Sequence, residues 1–439
     1  MAFHLPGTHV PHRKNTQGSP VARMDPPKLV TVPMAMHIGK PAIPTVKVGD
    51  LVRVGTKLGE ADGKISVPVY SGVSGKVVKL ADYLLSNGMT STAVVIESDG
   101  AMTPDEAIVP PVVNNAQELI AAVKESGIVG LGGAGFPTHV KLDVDPARIE
   151  YLVINGAECE PYVTSDTVTM TTRAEDMADA LKALARHLGI KQVIIGIENN
   201  KKQAIAAMKE MAASVSECAV SVKVLPAVYP QGGEKVLVYH TTGRKIPANK
   251  LPIDVGCVVI NCTTLAAIGA YLKTGMPLVE KCVTVDGGAV KNPQNVMAPI
   301  GATMGDLFDF CGGLTEEPAK LIYGGPMMGI TVPDATAPIM KNTNAILALT
   351  AKEAKLPKTT ACIRCGACIN TCPFGLAPAA IAKAYDNKNK DELIALSVES
   401  CMECGCCSFV CPANRPLVQK NKLSKQFLKE ERMKEENNR

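Results

Sequence analysis

The sequence predicts a multidomain α/β chain, and three observations carry that prediction. Apolar strands alternate with amphipathic helices through the middle of the chain. A Gly- and Pro-punctuated stretch of short strands precedes them. Two evenly spaced cysteine runs follow near the C-terminus. The chain has 439 residues, room for three or four domains, and is 46% hydrophobic, enough for a core in each.

Residues 1–28 are rich in Pro and His without periodicity and read as an extended N-terminal arm. His4, His9 and His12 read as scattered surface histidines rather than metal ligands. Residues 29–100 read as short strands, and Val48-Gly-Asp-Leu-Val-Arg-Val-Gly-Thr-Lys-Leu-Gly59 is mirrored by Val67-Pro-Val-Tyr-Ser-Gly-Val-Ser-Gly-Lys-Val-Val78. This doubling resembles the lipoyl/biotinyl barrel-sandwich hybrid. Lys64 falls near the place of a carrier lysine, but Asp62-Gly63-Lys64 is one residue out of register, so an unmodified docking module is expected.

Residues 110–275 carry apolar residues at helical spacing over 115–126, 174–188 and 200–213. Between and after these helices, 192–197, 220–225 and 256–261 read as strands, the first apolar throughout as in strands buried on both faces. The β-α-β rhythm implies a mainly parallel sheet covered by helices. Residues 276–330 return to short strands with Gly turns, a small α+β module in which Gly324-Gly-Pro-Met-Met-Gly329 reads as a tight turn. Residues 331–358 read as a polar connector. Residues 359–412 hold the cysteine runs, and helical patches at 378–385 and 390–398 between them imply a helical domain. Residues 413–439 form a basic tail with eight Lys/Arg against four Glu, read as a solvated helix or frayed end.

The cysteine runs are Cys362-Ile-Arg-Cys365-Gly-Ala-Cys368-Ile-Asn-Thr-Cys372-Pro373 and Cys401-Met-Glu-Cys404-Gly-Cys-Cys407-Ser-Phe-Val-Cys411-Pro412. Each has the bacterial ferredoxin spacing for [4Fe–4S] clusters, in which the fourth cysteine of one run serves the other cluster. One cluster is therefore assigned to Cys362, Cys365, Cys368 and Cys411, and the other to Cys401, Cys404, Cys407 and Cys372. A zinc site, built from two C-x2-C pairs, fits two triplets poorly. Cys406 is an extra cysteine outside the ligand set. Two adjacent clusters imply one-electron transport in a ferredoxin-like domain.

A net charge of only +4 argues against a nucleic-acid partner. Eight of the fifteen cysteines sit in cluster motifs and the rest are scattered, as in a reducing compartment. No signal-peptide core precedes Asn15 and no apolar run is long enough to span a bilayer, so other subunits are expected to hold the chain at any membrane.

Gly130-Leu-Gly132-Gly133-Ala134-Gly135-Phe136-Pro137 contains G-x-G-x-x-G, but after a helix rather than a strand, so the dinucleotide fingerprint fails. Its amides can still form a nest for phosphate, with Lys141 close behind. Asn155-Gly-Ala-Glu158-Cys-Glu160-Pro-Tyr162 leaves a strand end, where α/β folds place ligands. Together with Tyr229-Pro-Gln-Gly232-Gly233-Glu234-Lys235 and Ile260-Asn261-Cys-Thr-Thr264, these loops resemble the flavin- and NADH-binding 51-kDa-type subunit of respiratory complex I. By position, that resemblance implies FMN contacts at Gly130, Gly132, Lys141, Asn155, Gly232, Asn261 and Thr264. It implies nucleotide contacts at Gly133, Ala134, Phe136, Glu160, Tyr229 and Glu234. Glu158 and Glu160 are not needed as acid and base, because hydride transfer belongs to the cofactors. Ala157, Gly233 and Ile260 depart from the family's pattern at individual flavin hydrogen bonds.

The two ferredoxin-type runs and the barrel-like module add a second resemblance, spanning nearly the whole chain, to the RnfC family of the Rnf electron transport complex. It implies non-covalent FMN, NAD(H) as substrate and a β-grasp, soluble-ligand-binding module at 276–330. It also implies membrane subunits and an iron–sulfur subunit as partners, exchange of electrons with ferredoxin through them, and a peripheral place on the cytoplasmic face of the membrane. Hydride is exchanged with FMN and single electrons pass through the clusters, so no catalytic side chain is expected. The rival readings are a soluble flavo-iron–sulfur reductase, such as the cobalamin reductase of microcompartments, and a non-enzymatic cluster relay.

Overall fold

The computed structural model describes residues 5–86 and 88–437; His4 lies outside them. Residues 29–98 form two facing antiparallel sheets. One runs in the order Leu29–Pro33, Thr90–Ser98, Gly75–Leu84, Leu51–Val52, and the other Ile43–Pro44, Lys57–Glu60, Val69–Tyr70. Alternation drives this sandwich: Val30 and Val32, Val94 and Ile96, and Val77 point inward and are fully buried. The Lys64 turn is not a free hairpin tip. Its carbonyl meets His139 Nε2 at 3.0 Å and its ammonium lies 3.1 Å from Asp143, so the turn is tied to the next domain.

That domain holds a four-stranded, wholly parallel sheet in the order Ala219–Leu225, Gln192–Glu198, Tyr151–Asn155, Cys257–Asn261. Helices Ala174–Leu188 and Cys262–Thr274 pack on one another over it. The first presents Met177, Leu181, Leu184 and Leu188 at helical spacing to the core. Gly269 lets the pair close up: a Cβ there would lie 1.8 Å from the Asp176 carbonyl oxygen.

The third unit is larger than the sequence suggests. Its six strands run in the order Val21–Arg23, Gln294–Pro299, Glu280–Asp286, Ala345–Leu349, Lys320–Tyr323, Ile330–Val332. The N-terminal arm thus supplies an edge strand, and the stretch read as a connector supplies a central one. Ala345–Leu349 is buried at every residue, so it shows no alternation, and its Ala and Leu are helix formers, which hid it.

The cysteine domain is built from helices, the longest being Leu417–Asn437. This helix is not a free tail. Leu417, Asn421, Ser424 and Leu428 are buried along one face, against Pro378–Asp386 and the second cysteine run. The arm from Leu5 to Arg23 crosses the other units: Thr8 pairs with Tyr229, Gly7 O accepts from Thr371 Oγ1, and Arg13 reaches Tyr162 and Glu353. Among the described residues no helix is long and apolar enough to cross a membrane.

Candidate functional site

The parallel sheet ends in two adjacent asparagines, Asn155 and Asn261, which are register partners. Asn155 Nδ2 donates to Gly232 O at 2.9 Å and its Oδ1 accepts from Ala157 N. Asn261 caps the helix Cys262–Thr274, accepting from the amides of Thr263 and Thr264, while its Nδ2 donates to Asp166 at 2.8 Å. Thr264 Oγ1 accepts from Leu131 N at 2.9 Å, seating the glycine loop. Gly132 lies so close to Asn261 that a Cβ would come within 2.3 Å of Nδ2. Lys141 Nζ reaches Val259 O at 3.3 Å and Glu234 Oε2 at 3.4 Å.

All seven residues expected at the flavin therefore meet at the carboxyl edge of Tyr151–Asn155 and Cys257–Asn261, where open α/β sheets bind ligands. Gly132, Gly133 and Ala134 are exposed there, and no acceptor among the described residues takes their amides. Open glycine amides with an ammonium nearby suit a phosphate, and the bare Gly132 lets the loop close against Asn261. Phe136 is half-buried beside them, and Glu234 opens the helix Glu234–Thr242 on the same edge.

Glu160 and Tyr229 are already engaged by partners outside this sheet edge. The Glu160 carboxylate accepts from Met327 N and Met328 N at 3.0 and 2.7 Å, so the 324–329 loop is a clamp rather than only a turn. Burial raises its carboxyl to about 7 despite those two donors. Tyr229 is 2% exposed and its hydroxyl donates to Cys404 O at 2.7 Å, aiming it at the second cysteine run.

A buried polar chain underlies the site. Asp166 accepts from Thr263 Oγ1 as well as Asn261, and its own amide donates to Glu158 Oε1 at 2.8 Å. Glu158 lies 3.6 Å from Lys201, both sealed from solvent. Lys14, from the arm, donates to the carbonyls of Glu158, Glu160 and Val163. Burial lowers its ammonium to about 8, with Glu158 opposing. Sequence reasoning missed Asp166, Lys14 and Lys201; burial of charge, which has no local sequence signature, is what singles them out.

The two cysteine runs fold alike. Arg364 and Glu403 both take positive φ (56° and 63°), as do Gly366 and Gly405 (76° and 83°). A one-turn helix then leads to each Cys-Pro, Ala367–Asn370 in one run and Cys406–Phe409 in the other. Burial pushes the Cys368 thiol up, and its cysteine neighbours acting in the same direction are Cys411 and Cys362. For Cys372, likewise raised by burial, those neighbours are Cys404 and Cys401. Each fourth cysteine thus sits with the opposite run, which fits two clusters with crossed ligands. Cys406 faces the flavin domain, its thiol 3.8 Å from Tyr229 O. Donors from outside the motif also reach the second run. Glu403 N and Asn421 Nδ2 each point at Cys401 Sγ at 3.4 Å, and Lys425 Nζ reaches Cys401 O at 3.1 Å. Sequence reasoning passed over Asn421 and Lys425 as tail; their helical spacing from Leu417 and Leu428 was the available signal.

Comparison with known proteins covers every unit. Residues 2–101 match the RnfC barrel sandwich hybrid domain, 123–270 the Nuo51 FMN-binding domain, 282–331 the SLBB domain and 355–412 the 4Fe-4S dicluster domain. The chain is 42% identical over 388 residues, 87% of either chain, to the C component of the Na(+)-translocating ferredoxin:NAD(+) oxidoreductase complex of Acetobacterium woodii. It is 40% identical to the C component of the proton-translocating ferredoxin:NAD(+) oxidoreductase complex of Clostridium ljungdahlii, over 84% of this chain and 81% of that one. It is 39% identical to the C component of the ion-translocating oxidoreductase complex of Rhodobacter capsulatus, over 95% and 82%. Among solved structures, an NAD+-reducing [NiFe]-hydrogenase in the H2-reduced state shares the fold, with a TM-score of 0.51 and 19% identity. The likeness covers 74% of this chain and 63% of that one.

Proposed function

The chain belongs to the RnfC family, the C components of the ion-translocating ferredoxin:NAD(+) oxidoreductase (Rnf) complexes, and from that premise we propose how its residues divide the work. It is an oxidoreductase subunit with an FMN-binding domain and a domain for two [4Fe–4S] clusters. FMN, when bound, supplies the exchange between paired hydride electrons and single electrons. The side chains bind, orient and insulate.

Gly130, Gly132 and Thr264 shape the glycine loop so that its amides face the FMN phosphate, and Lys141 neutralises the charge. Asn155 and Asn261 fix the pocket floor, and Gly232 lets its loop close on the Ala157 backbone. NAD(H) enters over Gly133, Ala134, Phe136 and Glu234, the acid serving ribose hydroxyls. Glu160 and Tyr229 act as positioning residues between this pocket and the second cysteine run. Cys362, Cys365, Cys368 and Cys411 hold one cluster; Cys401, Cys404, Cys407 and Cys372 hold the other. Membrane subunits anchor the chain at the cytoplasmic face and move the ion, while an iron–sulfur subunit exchanges electrons with ferredoxin.

The observation that carries this reading is the convergence of all seven flavin residues at one sheet edge, with Tyr229 of the neighbouring loop bonded to Cys404. The test is an anaerobic NADH titration of the reconstituted full chain. Bleaching of the flavin absorbance followed by iron–sulfur reduction is expected. A flavin that stays oxidised at every NADH concentration overturns the assignment.

A further inference from the structure

The glycine loop is held from outside the flavin domain. Asn342 Nδ2 donates to Gly133 O at 2.9 Å, and Ile38 N donates to Gly135 O at 3.1 Å. The two anchors flank one spot: a Cβ on Gly135 would lie 3.6 Å from Asn342 Nδ2 and 3.6 Å from His37 Cα. Neither anchor belongs to residues 123–270, which match the FMN-binding domain, or to residues 282–331, which match the SLBB domain. Ile38 comes from the barrel-sandwich module. Asn342 comes from the segment that joins the strands Ile330–Val332 and Ala345–Leu349.

Each anchor is itself braced. The turn 340–343 closes on itself, with Thr343 N donating to Met340 O at 3.1 Å and Met340 N to Thr343 Oγ1 at 3.0 Å. Lys341, 1% exposed, pins that turn: its Nζ donates to Pro68 O at 2.6 Å and to Gly127 O at 2.7 Å. One ammonium thus ties the turn both to the sandwich module and to the chain that leads into the glycine loop. On the other side, Val67 N donates to His37 Nε2 at 3.3 Å and Lys40 N to Ile65 O at 3.1 Å, which fixes Ile38 between them. A trans peptide points its N–H away from its C=O. Holding the Gly133 carbonyl therefore turns the Ala134 N–H the opposite way, and holding the Gly135 carbonyl does the same for the Phe136 N–H. No acceptor among the described residues takes either amide.

We propose that Asn342 is a positioning residue for NAD(H): by holding the Gly133 carbonyl it keeps the Ala134 amide turned toward the nucleotide, while the Ile38 main chain does the same for Phe136. The proposal rests on the functional reading above, which brings NAD(H) in over Gly133, Ala134 and Phe136. Asn342 acts through the loop. The barrel-sandwich module thereby gains a task, closing the side of the nucleotide loop that the flavin domain leaves open. The flavin half of the loop has anchors of its own, since Gly130 N donates to Phe136 O and Leu131 N to Thr264 Oγ1. Loss of Asn342 should therefore fall on the nucleotide rather than on FMN.

The test uses the full chain reconstituted with FMN and both clusters under anaerobic conditions, with NAD+ as the calorimetric probe. Asn342→Leu keeps the size and removes the donor, whereas Asn342→Gln keeps an amide. Asn342→Leu is expected to raise the Kd for NAD+ by about fivefold, the weight of one neutral hydrogen bond. In flavin bleaching by NADH it should raise the KM while the limiting rate holds. FMN affinity should shift by less than about twofold, and Asn342→Gln should recover most of the lost NAD+ binding. An unchanged Kd for Asn342→Leu, or equal losses in the two variants, overturns the proposal. Subtilisin cleavage within residues 131–136 supplies a readout that needs no nucleotide: Asn342→Leu should be cut there faster than the wild type. If the wild type binds no NAD+, the functional reading fails, and cleavage then decides the clamp by itself, an unchanged rate overturning it.

Discussion

Glu160 shows how one side chain can change role between sequence and fold. The resemblance to the 51-kDa-type family puts it at the nucleotide, on the loop that leaves a strand end. The fold closes the 324–329 loop over it, and desolvation raises its carboxyl from 4.5 to about 7. A carboxyl raised in the native state contributes stability below about pH 4.5 and loses that contribution as pH climbs through about 7. Glu160→Gln cannot titrate, so its melting temperature relative to the wild type should rise from about pH 5 to about pH 8. A difference that stays flat across that range, measured by calorimetry, contradicts the burial argument. Gly132 tests the pocket itself. A Cβ there meets Asn261 at 2.3 Å, so Gly132→Ala should weaken FMN retention by about tenfold. Undiminished flavin affinity in equilibrium dialysis would place the ligand elsewhere. Gly132 was legible because an opening loop needs glycine; the Glu160 clamp was not, because its donors lie more than a hundred and sixty residues away.

At the scale of elements, what could be read was what repeats locally. The strand 192–197 and the helix 174–188 announce themselves by an apolar run and a 3.6-residue spacing. Ala345–Leu349 did not, because a strand buried on both faces and written in Ala and Leu carries no period. The helix Leu417–Asn437 was hidden by its abundant charges, although Leu417, Asn421, Ser424 and Leu428 mark a buried stripe. The helix Cys262–Thr274 offers the sharpest test at this scale. Its cap, Asn261, also supplies a donor to the buried Asp166. Asn261→Ala should lose about 1 kcal/mol from the cap and about 1 kcal/mol more from Asp166, which keeps Thr263 Oγ1 but loses one donor. Urea unfolding of the flavin-free protein reads that loss; a cost under about 0.5 kcal/mol would mean that the cap and the Asp166 contact carry no weight.

At the scale of the molecule, the cluster domain is two copies of one loop-and-turn, and the proposed ligand sets have each lend its last cysteine to the other. Cys411→Ala should therefore damage the cluster of Cys362, Cys365 and Cys368, lowering iron from about eight per chain and changing one of two electron-spin signals. Loss confined to the signal of the Cys401 run would refute the exchange. The spacing made the cysteines readable, whereas the unlike surroundings of the two runs emerged only from how the domains stack. Stacking depends in turn on the N-terminal arm. Val21–Arg23 pairs with residues 295–297, and Gly7 receives Thr371 across 364 positions. A contact that bridges so many positions closes only after both of its ends have been synthesised, so these two arm contacts form later than those of Lys14 with Glu158 and of Thr8 with Tyr229. A nascent polypeptide stalled before residue 371 therefore lacks the Gly7–Thr371 tie to the cysteine domain while it can already hold the arm against the flavin domain.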